Sequence, residues 1–146
     1  TKDEKNYICI NLSGNYSELA YAEHLRKEIF LAKYPALKII LNDFFKKTQL
    51  TFFIVIIFGS YAAGTVFKSS DLDILVVTNQ TDVEKDFTSS FSWSKFQPHF
   101  NFISVDSFKE MFNHKKELNI VNEILDKHII LYGAESFYKL VGENNA

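Results

Sequence analysis

At 146 residues, with 47% apolar and 23% charged side chains, the chain is one domain long and can bury a core, which excludes a disordered polymer. A net charge of −2 excludes the broadly basic surface that long nucleic acids select, and the single cysteine, Cys9, excludes an internal disulfide. No charged leader followed by an apolar segment and a cleavage site stands at the amino end, so the expected location is the cytoplasm; the first residue is Thr1, which reads either as a processed terminus or as a cut through a longer protein.

Tyr7 to Leu12 alternates weakly and meets Ser13-Gly14, a short strand and turn. Asn15 followed by Glu18 marks a helix start, and Tyr21, Leu25, Ile29 and Ala32 recur at helical spacing, predicting a helix over 15–33. Pro35 interrupts that helix or opens the next, which carries Leu37, Ile40, Leu41 and Phe44 on one face and Lys46 and Lys47 at its carboxyl end. Residues 50–58 are nearly all apolar and rich in β-branched side chains, the pattern of a central strand covered on both faces. That run is far shorter than the roughly 20 residues a membrane-spanning helix needs. A short helix beginning at Ser60 fills the connection to a second strand over 72–78. A helix over 82–91 and an irregular serine-rich aromatic stretch lead to a third strand over 100–105. Ser104 to Met111 is a strand-to-helix junction with Asp106 or Ser107 as its cap. From Lys116, the residues Leu118, Val121, Leu125 and His128 predict another helix, and Ala134 to Val141 a last one after the break at Gly133. Strands alternating with helices indicate an α/β or α+β sheet domain.

Chemistry concentrates in "FGSYAAGTVFKSSDLDILVV", Phe58 to Val77. A strand ending in Gly-Ser and leading into a helix presents backbone N–H groups to a phosphate. Gly59 permits close approach, the Ser60 hydroxyl can donate to a phosphate oxygen, and Gly64 closes the turn. Asp71 and Asp73 stand two apart at a strand start, so both point to one face, about 6–7 Å apart along the backbone. Carboxylates so placed repel unless cations lie between them. Magnesium takes oxygen ligands and bridges carboxylates to substrate phosphates, often as a pair of ions. The pattern predicts metal-assisted phosphoryl or nucleotidyl transfer, with Asp71 and Asp73 as catalytic metal ligands.

Gly59-Ser60, ten intervening residues and Asp71-Leu72-Asp73 resemble the signature of the polymerase-β-like nucleotidyltransferase superfamily, particularly its minimal nucleotidyltransferases. The resemblance implies a mixed β-sheet flanked by helices, a palm-like core, and two magnesium ions held by the aspartates. It further implies a nucleoside triphosphate, ATP by default, resting on the Gly-Ser turn, with Ser70 beside it, and transfer of the monophosphate to a hydroxyl. Two departures stand out. Ala63 occupies a position where relatives often carry arginine, and Lys68 is the candidate substitute. On the third strand Asn101 occupies the position of the acidic residue that activates the attacking hydroxyl in polymerising and antibiotic-modifying members; an amide cannot accept that proton.

His24, His99, His114 and His128 show no metal-ligand spacing and read as core or solvated side chains. Phe87, Phe91, Trp93, Phe96 and Phe100 read as core or partner surface, with base stacking as the alternative. Lys115 and Lys116 read as a solvated helix entry. The acceptor implied by the resemblance is a small helical partner protein of the HEPN type, or a small molecule; long nucleic acid and membrane are disfavoured. The alternative is a catalytically weak nucleotide-sensing module of a winged-helix regulator, because residues 1–33 resemble the end of such a domain joined to a nucleotidyltransferase domain over 34–146.

Overall fold

A computed structural model describes residues 16–48, 53–114 and 120–144. In chain order its elements are α1 (Tyr16–Lys33), α2 (Pro35–Lys47), β1 (Ile54–Phe58), α3 (Gly59–Ala63), β2 (Leu72–Val77), α4 (Val83–Phe91), β3 (Pro98–Ile103), α5 (Val105–Asn113), α6 (Ile120–Asp126), β4 (Ile129–Tyr132) and α7 (Ala134–Asn144). The four strands form one sheet in the order β3-β2-β1-β4. β1 is antiparallel to β2 and to β4, whereas β2 and β3 are parallel. A parallel pair needs a crossover, and α4 supplies it between β2 and β3. The result is the expected mixed sheet flanked by helices.

Strand alternation sorts the apolar residues into two cores. Val55, Ile57, Leu72, Ile74, Val76 and Leu131 face a cluster built with Leu37, Leu41 and Phe44 of α2 and with Val83, Phe87 and Phe91 of α4. Ile54, Ile56, Phe58, Leu75, Val77 and Ile130 face the other, built with Phe108 and Phe112 of α5, Val121 and Ile124 of α6 and Phe137 of α7. Helices on both faces explain why β1 and β2 read as continuous apolar runs rather than alternating ones. Phenylalanine rings fill the first core: Phe87 stacks on Phe44 at 3.8 Å and on Phe53 at 5.5 Å between ring centroids. Phe91 joins that core and Phe96 and Phe100 pack against it, while Trp93 is fully exposed.

α1 is tied to the start of β4 and to α7 through Glu23, which is 2% exposed. Its Oε1 lies 3.0 Å from His128 Nε2 and 3.4 Å from the Arg26 guanidinium, and the Tyr138 hydroxyl donates to it at 2.5 Å. His128 Nδ1 in turn donates to the Ile124 carbonyl at 2.7 Å. Burial pushes the Glu23 carboxyl up, but the hydrogen bonds from His128 and Tyr138 outweigh it and hold the group below its ordinary value.

Two expectations need correction, and one alternative is decided. The helix expected to run to His128 ends at Asp126, and Ile129–Tyr132 is a strand, β4, that the helical spacing conceals. A four-residue apolar run carries no periodicity of its own; pairing with β1 decides its state. The cap of α5 is Ser104, whose Oγ accepts from Ser107 N–H at 3.1 Å, rather than Asp106 or Ser107. Ser104 has the extended backbone a cap needs, whereas Asp106 and Ser107 already lie within the helix. Pro35 opens α2 at its first position, where a missing N–H costs nothing. The expected strand at Tyr7–Leu12, the Asn15 cap, Cys9, residues 50–52 and the segment Lys115–Leu118 lie outside the described residues.

Candidate active site

The site forms where β1 ends and β2 and β3 begin. Phe58, the last residue of β1, sits opposite Asp73 in the antiparallel pairing, and the chain turns at once into α3. Gly59 makes that turn at φ +68°, a conformation L side chains rarely adopt. A Cβ at Gly59 would also overlap Asp73 Oδ2. Both facts leave glycine as the residue that fits, because the backbone lies directly against the carboxylate. α3 is a single five-residue turn, so its amino end offers a few N–H groups rather than the field of a long helix. Gly64 ends it in the left-handed conformation, φ +74°, with its N–H bonded to the Ser60 carbonyl.

Asp73 alternates with Leu75 and so faces the core side covered by α5, α6 and α7. Parallel pairing aligns Asp73 with His99 and Leu75 with Asn101, which puts all three polar residues on one face. His99 Nδ1 lies 3.2 Å from Asp73 Oδ1. The Asp73 side chain is only 26% exposed, and its other oxygen lies against Gly59, so its orientation is set from two sides. A cleft of about 420 Å³ opens over this face, lined by Phe58, Asp73, His99 and Asn101 from the sheet and by Ile120, Asn122 and Glu123 from α6.

Asp71 lies just before β2 and is exposed. Lys68 and Ser70 belong to the turn preceding it. Ser70 Oγ accepts from Phe67 N–H at 2.8 Å and Ser70 N–H donates to the Phe67 carbonyl at 3.0 Å, so Ser70 closes that turn. Lys68 is exposed and lines neither this cleft nor the larger neighbouring cavity. That second cavity, about 480 Å³, is bordered by Ala63 and Gly64 of α3 and brings Arg26, Lys33 and Lys127 beside them. Cations therefore stand next to the position where Ala63 carries none.

The fold thus sets Asp73 and Asn101 on one cleft, with the Gly59 backbone against Asp73. His99 and Glu123 are lining residues that sequence reasoning missed. Alternation back from Asn101 points to His99, since the two are two residues apart on one strand. No local signal reaches Glu123, because its placement depends on how α6 crosses the sheet. Of the other histidines, His128 serves the Glu23 cluster.

The model of the nucleotidyltransferase domain matches residues 37–143. The chain belongs to the nucleotidyltransferase domain family. The matched span of this nucleotidyltransferase runs from within α2 into α7 and so contains the entire sheet and the Asp73 cleft. Curated proteins and solved structures give no match. Among the described residues of this nucleotidyltransferase, no three histidine, cysteine or acidic side chains converge as a self-sufficient metal site. No helix among them is long and apolar enough to cross a membrane.

Proposed function

We propose that this nucleotidyltransferase is magnesium-dependent and moves a nucleoside monophosphate, AMP from ATP, onto a hydroxyl of a protein or small-molecule acceptor. The observation that carries the reading is the packing of the Gly59 backbone against the Asp73 carboxylate at the mouth of the cleft. It joins a phosphate-approach turn to a metal-type ligand without intervening atoms.

The donor set fits magnesium. Asp71 and Asp73 offer hard carboxylate oxygens, and two carboxylates with substrate phosphates are the usual way magnesium is held. When bound, a pair of such ions supplies neutralisation of the charge that develops on the phosphates. The chain's own residues do the rest. Gly59 admits the triphosphate to the backbone, Ser60 donates to a phosphate oxygen, Gly64 ends the turn, and Lys68 and Ser70 shape the approach from the following loop. His99 holds Asp73 in orientation. The acceptor oxygen bonds to the α-phosphorus while the bond to the β-phosphate oxygen breaks, releasing pyrophosphate. An acceptor of the small helical HEPN type fits the family resemblance of the motif.

The test is incubation with magnesium and α-phosphate-labelled ATP in a dialysed cell extract. Label on a protein or small molecule that disappears on chelation is the expected result; an unlabelled extract contradicts the proposal. Asn101 favours one second reading, a nucleotide-sensing module of a winged-helix regulator whose upstream part would include residues 1–33. That reading expects calorimetric binding of magnesium and ATP with no transfer.

A further inference from the structure

The polar residue that β3 adds to the cleft beyond His99 is Asn101, an amide without a proton-accepting site of useful basicity. The cleft nevertheless contains a second carboxylate. Glu123 lines it from α6, on the wall facing the strands that carry Asp73 and Asn101. α6 is fixed there by Val121 and Ile124, both fully buried in the core beneath the cleft. Its next turn is closed by Lys127 N–H on the Glu123 carbonyl at 3.1 Å. The Glu123 side chain is exposed, and its carboxylate takes part in no hydrogen bond or ion pair among the described residues. An acidic side chain with no hydrogen-bond or ion-pair partner among the described residues, held on a packed helix at the rim of the cleft, can turn its oxygens to a bound acceptor.

We infer that Glu123 is a catalytic residue of this enzyme, accepting the proton of the attacking hydroxyl from α6 in place of an acid on β3. The inference rests on the proposed transfer reaction. In the step, the acceptor O–H gives its proton to the Glu123 carboxylate as the new oxygen–phosphorus bond forms and pyrophosphate leaves with the electrons of the broken bond. Charge and atoms balance without a further reactant. Proton transfer by a placed side chain contributes about 10²- to 10⁴-fold to rate.

Glu123→Gln separates this role from binding and from folding, because it preserves shape at an exposed position. Label transfer from α-phosphate-labelled ATP to the acceptor in a dialysed extract is expected to fall about 10²- to 10⁴-fold. Calorimetric affinity for magnesium with α,β-methylene ATP is expected to stay within about threefold, since a group that acts only on the acceptor proton adds nothing to nucleotide affinity. Transfer at the wild-type rate in Glu123→Gln, or a fall matched by an equal loss of nucleotide affinity, overturns the inference while leaving the transfer reaction intact. Failure of the wild-type chain to label anything instead removes the reaction itself, and Glu123 with it.

Discussion

At Gly59 two requirements meet in one residue, a positive φ and space for the Asp73 carboxylate. A methyl group there has no strain-free solution. Gly59→Ala is expected to lose about 1–3 kcal/mol of stability through the left-handed backbone alone, measured by urea denaturation. It is also expected to lose magnesium-dependent nucleotide binding, because Asp73 must move. Unchanged calorimetric titration in this variant would show that the turn and the carboxylate are not coupled. The turn at Gly59 and the start of β2 at Asp73 were legible in the sequence because each is local: a turn and a strand start need only their own neighbours. His99 was not, since its contact with Asp73 spans 26 positions and depends on the register of β2 against β3. Reading a histidine by metal-ligand spacing along the chain cannot see a partner supplied by a neighbouring strand.

Among elements, α2 and α4 meet through aromatic rings, with Phe87 fully buried against Phe44 and Phe53. Phe87→Ala is expected to cost about 3–5 kcal/mol, as large-to-small changes at packed aromatic sites do. Chemical denaturation checks it, and a loss below about 1 kcal/mol would mean that the rings can close the gap. The helices followed from their apolar period, and β1 and β2 from unbroken apolar runs buried on both faces. β4 did not: its four residues are apolar on both faces, and only the edge of β1 makes them a strand. The cap of α5 was misplaced by two or three residues for a related reason. Ser104, Asp106 and Ser107 all carry capping oxygens, and the end of β3 selects among them.

At the scale of the whole molecule, Glu23 joins elements far apart in sequence, linking α1 to His128 before β4 and to Tyr138 of α7. Its carboxyl is held below its ordinary value despite burial, so the folded state binds this proton less readily than the unfolded chain. The stabilisation is therefore complete above the unfolded value of about 4.5 and is lost as pH falls through the lower folded value. Glu23→Gln is expected to be less stable at neutral pH by about 1–3 kcal/mol, the cost of an ill-matched buried polar group, and to show a shallower loss of stability below pH 4.5. Equal acid limbs in denaturation experiments on the two proteins would place the titration elsewhere. Across the same molecule, the sheet brings Gly59, Asp73, His99 and Asn101 to one end, where the transfer reaction is proposed. Asp73→Asn keeps the shape of that end and removes its charge. Transfer of label from α-phosphate-labelled ATP in magnesium is predicted to fall about 100-fold or more in this variant, the scale of several kcal/mol of lost charge stabilisation; transfer persisting at the wild-type rate would contradict catalysis at this cleft.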